Sequence, residues 1–319
     1  MTDNTWPTVD TELIDDVTLY SAKLIIPVTG PVIIDGAVAI HGDRVVHVGK
    51  RRWVLKALKQ EMTAHGTIHE RHWDGVLTPG LINAHTHLQY SGMVQVGQGT
   101  YDRFRAWELA FNEVYAEAQK TQPWKQWAED GTRQMVESGT TAAADIVTDL
   151  DAAGALASQG MHGIAYWEVM GWHNAEWMEK GRTELIRQLR RMNEEQLPNL
   201  GISPHAPYTL ESEPFVDLPD IARQLNMRLH IHLAETPLEA GTYPPVLTTY
   251  SAADWSDHDW ESYRQLKEVG KGASAIQFVD QLGSLGPDVH IAHGVWANGE
   301  DRRILRQRGV GVALCPRSN

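Results

Sequence analysis

A single cysteine, Cys315, stands in 319 residues, so no disulfide can form within the chain and a reducing compartment is expected. No apolar run approaches the roughly 18 uninterrupted residues of a membrane span. The first residues, MTDNTWPTVDTELIDD, lack the basic start and apolar stretch of a secretory leader, which points to a cytoplasmic protein. Positive charge is scarce. With 28 Lys and Arg against 41 Asp and Glu, the net charge of -13 argues against nucleic acid or an anionic membrane surface as partner. Internal repeats and low-complexity tracts are absent as well. What is present is ordinary for a globular chain: 42% hydrophobic and 22% charged residues. The length accommodates one barrel of roughly 250 residues with a small domain attached.

Two textures divide the chain. Residues 1–76 read as short strands and turns, with LYSAKLII and GPVIIDGAVAIHGDRVVHVGK broken by Asp-Gly and Gly-Asp pairs, the signature of hairpins in a small β-sandwich-like unit. From 77 to 319, short apolar runs alternate with longer amphipathic stretches, the pattern of successive βα units in a TIM-type (β/α)8 barrel of the α/β class. The strand candidates are GLINAH, TTAAADIV, GIAYWEVM, LGISPH, RLHIHLAE, VHIAHG and VGVALC. The segment 236–262 reads as an irregular loop. Seven strands are one short of a closed barrel, so the barrel is expected to be truncated after strand 7.

Active sites of such barrels lie at the carboxyl ends of the strands, where the βα loops converge. Those ends carry His85, His87, His205, His232 with Glu235, and His293. With 15 histidines in the chain, about 0.7 H-x-H triplets arise by chance, so the triplet at 85–87 means little alone. Position carries the weight, since four of seven strands finish in histidine. Residues two apart on a strand share a face, so His85 and His87 can reach the barrel axis and hold one cation, with His232 as a third imidazole. Three nitrogens leave room for water and substrate, as in a catalytic zinc site, where bound water titrates near neutrality. Glu235, just past the strand of His232, can take the water's proton, and His293 can orient or polarise. His230 shares the facing of His232 but lies deeper, which suits a core histidine.

VLTPGLINAHTHL, GISPHAPYTL, LHIHLAET, HIAHGVW and ALCPRSN together resemble the cytosine-deaminase-like branch of the amidohydrolase superfamily. That branch includes guanine, S-adenosylhomocysteine/methylthioadenosine and aminodeoxyfutalosine deaminases and triazine hydrolases. The resemblance implies that His85, His87 and His232 are metal ligands, Glu235 the proton shuttle, His293 a second catalytic histidine and His205 a substrate contact. It also implies one divalent metal, zinc first and iron as the alternative. No Lys or Glu ends strand 4 to bridge a second metal, which favours a mononuclear site and deamination.

The chain departs from the family where an aspartate at the end of strand 8 is expected, because the sequence stops at Asn319. A missing C-terminal segment, a homo-oligomeric or other partner chain, and a vestigial protein are the readings of that departure. The rim aromatics Tyr90, Trp107, Trp172, Tyr208 and Trp296 can stack on a heterocycle, with Tyr208 and Trp296 taken as substrate-binding. Phe104 and Trp107 match an F-x-x-W of nucleoside-type deaminases. The expected function is a metal-dependent hydrolytic deaminase of a small-molecule heterocycle. A triazine-type chlorohydrolase and a vestigial fragment are the alternatives.

Overall fold

The computed structural model describes residues 13–102, 104–194, 197, 199–241, 266 and 268–315. The chain divides into two compact units, Met1–Gly80 and Leu81–Asn319.

In the first unit, β1 (Ile14–Ile25), β2 (Ile33–His41), β3 (Arg44–Lys50) and β4 (Met62–Leu77) form one mixed sheet in the order β3-β2-β1-β4. The hairpin expected from the Gly-Asp pair is present. His41 faces Arg44 across a two-residue turn in which Gly42 takes φ +57°, a left-handed conformation that costs glycine little. Where a sandwich-like unit was expected, the described strands form a single sheet, and its second layer is a helix, Arg51–Glu61. Val54 and Leu58, one turn apart, pack on Val17 and Leu19 of β1 and Ala37 and Ala39 of β2. The two alanines leave space for a helix in this layer.

The second unit contains all seven expected strands: β5 (Leu81–Thr86), β6 (Thr140–Val147), β7 (His162–Val169), β8 (Leu200–Pro204), β9 (Arg228–Leu233), β10 (Val289–His293) and β11 (Gly311–Ala313). They pair in parallel and in chain order into a nearly closed barrel, with β5 and β11 at its two ends. Strand parity splits the barrel into two environments. On β9, Leu229, Ile231 and Leu233 are fully buried in a cluster with Phe215, Leu218, Ile221 and Ala222 of the helix Ser212–Gln224. The alternate residues His230 and His232 face the other way, into the barrel. Apolar burial outside thus fixes which polar residues line the inside.

The helices expected between strands are present at Trp124–Glu137, Arg182–Glu194 and Gly299–Arg308. The last is bounded by an Asn298/Asp301 capping box and by Gly309 at φ +71°. A further helix, Phe104–Ala118, carries the F-x-x-W, and it aligns Phe104, Trp107, Phe111 and Tyr115 along one side. Of the loop expected at 236–262, the described part holds a single turn at Pro237–Glu239, and 242–262 lie outside the described residues. Among the described residues no helix is long and apolar enough to cross a membrane.

Candidate active site

The barrel mouth gathers the expected histidines. His85 lies next to the last residue of β5 and His87 begins the loop after it, His205 follows β8, His232 lies on β9 and His293 ends β10. Ring centroids of His85 and His232 are 4.8 Å apart, those of His205 and His232 4.7 Å, and those of His232 and His293 5.6 Å. His85, His87 and His232 each offer a ring nitrogen within 4.8 Å of the other two. Burial, reinforced by the neighbouring imidazoles, holds His85 and His232 far below the usual imidazole range, and burial brings His87 down to about 4. All three therefore keep neutral rings at neutral pH, as metal ligation requires.

Hydrogen bonds select the tautomers. His232 donates from Nδ1 to the carbonyl of His205 at 3.2 Å, which leaves the Nε2 lone pair facing inward. That Nε2 lies 3.2 Å from Nε2 of His87. Two nitrogens each about 2.05 Å from a tetrahedral zinc are about 3.3 Å apart, so this pair already has the spacing of one edge of such a site. His85 Nδ1 is 3.0 Å from Nε2 of His230, whose ring is stacked at 5.0 Å and fully buried. His230 is thus a neighbour of the candidate ligands as well as a core residue. The donor set fits a divalent cation.

The loops carrying these residues are tied down by buried carboxylates. Asp145, on β6, accepts the N–H of Leu88 at 2.8 Å and so anchors the turn behind His87. Glu239 accepts the N–H groups of Ala234, Glu235 and Thr236 at 2.9, 2.8 and 2.9 Å. This clasp accompanies a φ of +54° at Ala234, a conformation disfavoured for alanine, and Glu235 lines the pocket. Glu235 accepts the hydroxyl of Tyr208 at 2.8 Å through Oε2, and its Oε1 lies 3.4 Å from Nε2 of His293. His293 is itself at φ +75°.

The remaining expected residues line the same pocket. Tyr208 is buried at its wall beside His205, whereas Trp296 is 45% exposed at the rim. Tyr90, Trp107 and Trp172 line it too, although Tyr90 also packs against Phe111, Tyr115 and Trp124. One residue missed in the sequence is Glu168, near the end of β7. Its Oε1 lies 4.0 Å from Nε2 of His205 and 3.9 Å from Nδ1 of His232, and the three residues form a second group close enough to hold a cation. Burial, and then the charge of Glu235, pushes its carboxyl up to about 8. The available signal was an acid at an inward position of an otherwise apolar strand.

The amidohydrolase family matches residues 76–243. The chain is 30% identical over 250 residues to a 5-methylthioadenosine/S-adenosylhomocysteine deaminase of Thermococcus kodakarensis, covering 76% of this chain and 52% of that protein. A Moorella thermoacetica protein of the same name is 28% identical over 307 residues, covering 92% of this chain and 62% of its own. The chain thus spans about half to three fifths of the length of these relatives. Among solved structures, an adenosine deaminase from Xanthomonas campestris with bound zinc superposes with a TM-score of 0.66 at 21% identity, over 96% of this chain and 63% of that one. Atrazine chlorohydrolase from Arthrobacter aurescens, complexed with zinc, gives 0.70 at 17% identity, over 94% and 65%. These two likenesses speak to the fold. With its matched span beginning just before β5 and running through β9, the chain belongs to the amidohydrolase family.

Proposed function

We propose that this chain carries the larger part of a hydrolytic deaminase acting on an aminated heterocycle, with His85, His87 and His232 holding one divalent cation, zinc in the first instance. The observation that carries the reading is the convergence of three neutral imidazoles, two of them at the spacing of a zinc-site edge, in a pocket that the carboxylate of Glu235 also lines. A cation held there makes water acidic enough to act as nucleophile near neutral pH.

The chain's own groups account for the proton traffic. Glu235 Oε1 is the base that would take a proton from water activated there and pass it to the departing amine, so that a ring N=C–NH2 and water become ring HN–C=O and ammonia. Tyr208, donating to Oε2 at 2.8 Å, fixes the carboxylate so that Oε1 is the working oxygen. His293 Nε2, on the same side at 3.4 Å from Oε1, is placed to hold the group under attack. His205 and Tyr208 wall the ring site and Trp296 covers its rim. The names of the curated relatives support deamination, and the aromatic lining suits a planar substrate.

The test is a panel of aminopurines, aminopyrimidines and chlorotriazines with the zinc-loaded protein, read for ammonia and for chloride. Ammonia release that Glu235→Gln abolishes while zinc stays bound supports the proposal. Chloride release without ammonia, or a Glu235→Gln protein of full activity, overturns it.

A further inference from the structure

The three candidate ligands are held in place by different means. His85 Nδ1 lies 3.0 Å from Nε2 of His230, and His232 Nδ1 lies 3.2 Å from the carbonyl oxygen of His205. His87 turns Nε2 toward His232, and its Nδ1 makes no hydrogen bond among the described residues. A metal-bound imidazole is ordinarily oriented by a hydrogen bond from its other nitrogen. The orientation of His87 has another source.

That source is a face contact. The ring of Tyr90 lies 5.8 Å from that of His87, centroid to centroid, with the two planes 17° apart. The local fold produces the pairing. Leu88–Tyr90 form one turn of 3-10 helix with His87 as its N-cap, and the N–H of Tyr90 donates to the carbonyl of His87 at 3.0 Å. In such a turn, side chains three residues apart eclipse one another, which brings the Tyr90 ring over His87.

Tyr90 is itself confined. Phe111, Tyr115 and Trp124 meet its ring at 5.1, 6.1 and 5.9 Å, each close to perpendicular. Its hydroxyl lies 3.3 Å from Oγ1 of Thr148, just past the end of β6. Gln89, which is buried, fixes that threonine in turn. It donates from Nε2 to Thr148 Oγ1 at 2.6 Å and accepts the Thr148 N–H through Oε1 at 2.9 Å. The ring that Tyr90 presents to His87 is therefore set before any cation binds.

We propose that Tyr90 is a positioning residue whose ring sets the plane of His87 and so aims Nε2 at the cation. It does for His87 what hydrogen bonds do for His85 and His232. The face of a phenol ring is electron-rich, and an imidazole bound to a cation is electron-poor, so the contact strengthens on ligation. The proposal rests on the reading of His87 as a ligand.

The experiment reads metal binding and ligand geometry, apart from turnover. Zinc affinity is measured by competition with a chromogenic chelator, and geometry by the visible spectrum of the cobalt-substituted protein. Tyr90→Leu removes the ring. It should weaken zinc binding by about tenfold or more and shift the cobalt absorption. Tyr90→Phe keeps the ring and loses only the contact with Thr148, so it should restore both the affinity and the spectrum of wild type. If Tyr90→Leu does not fold, Tyr90→Met, which fills the space without a ring, is held to the same comparison. Wild-type affinity and spectrum in a folded ringless variant overturn the proposal, because Tyr90 then only fills space. Equal losses in Tyr90→Phe and the ringless variant also overturn it, since the effect then belongs to the hydroxyl. His87→Ala separates this outcome from failure of the underlying reading. Should His87→Ala bind zinc as tightly as wild type, His87 is no ligand and both readings fall. Should it lose zinc while the ringless variant does not, the ligand reading stands and the role of Tyr90 falls.

Discussion

The carboxylate of Glu239 accepts the backbone N–H of Glu235 at 2.8 Å, and through its two oxygens the N–H groups of Ala234 and Thr236 as well. One fully buried acid four residues along the chain therefore sets the direction of the candidate proton shuttle. Glu239→Gln replaces one acceptor oxygen by an NH2 that faces N–H donors. The expected outcome is a folded protein with lower thermal stability, by about 1–3 kcal/mol for the stranded donors, and a turnover loss of tenfold or more at unchanged zinc content. Melting curves, metal analysis and ammonia release check it. Unchanged turnover would separate the clasp from the position of Glu235.

His230 and His85 form a second pair of this kind. For His85 to bind a cation through Nε2, its Nδ1 must carry the proton and donate it to His230 Nε2 at 3.0 Å. His230→Leu should therefore weaken zinc binding by 10–100-fold, as loss of an outer partner does, and His230→Gln, which restores an acceptor, should recover part of it. Competition titration with a zinc-binding dye gives the affinities. Equal affinities in the two variants would reduce His230 to a packing residue.

Much of this architecture was legible in the sequence because its signals are local and periodic. RLHIHLAE alternates apolar and histidine positions, so the facing of His232 follows from a period of two, while the barrel strands as a set read as short apolar runs between amphipathic stretches. The histidines were recognisable by residue type and by their place at strand ends. Glu168 was not, since a single carboxylate among 41 acidic residues acquires meaning only when β7 sets it beside His205 and His232. Glu239 was closer to reach, because Thr236 and Glu239 form a T-x-x-E capping box that the sequence displays. The helix Arg51–Glu61 was obscured by strand-rich neighbours, although Val54 and Leu58 have helical spacing. Phe104–Ala118 was hidden in a different way, its aromatic stripe reading as loose rim residues until the helix aligned them.

Asp145 illustrates how a buried acid can support the site from outside the ligand set. Its Oδ1 holds Leu88 N–H at 2.8 Å while Oδ2 is buried without a partner among the described residues, and burial pushes the carboxyl up to about 8. The protonated acid is thus the favoured form at neutral pH. Asp145→Asn should be close to neutral for folding, within about 1 kcal/mol, since an amide oxygen still accepts from Leu88. Asp145→Leu should lose that acceptor, loosen the loop of His87 and reduce zinc affinity. Chemical denaturation and zinc titration of the two variants distinguish the outcomes.

The titrating groups also fix how stability of the zinc-free protein varies with pH. His87 and His205 are lowered from 6.5 to about 4 and about 3, and His85, His230 and His232 are lowered further, in each case first by burial. These rings take up protons more readily once unfolded, so their contribution is present above pH 6.5 and is lost as pH falls toward 3. Asp145 and Glu168, raised to about 8, and Glu239, raised to about 7, behave in the opposite sense. They favour the folded state while protonated, and their contribution is lost as pH rises above 4.5 toward 8. Between 4.5 and 6.5 the five histidines outnumber the three acids, and above 6.5 only the acids still act. A chelated sample should therefore melt highest near pH 6.5 and lower on both sides. Adding zinc should raise the melting temperature most at and above neutrality, where its imidazole ligands need lose no proton. Scanning calorimetry from pH 5 to 8.5 with and without zinc tests both limbs, and a melting temperature that climbs steadily to pH 8.5 without metal would contradict the burial of the three acids.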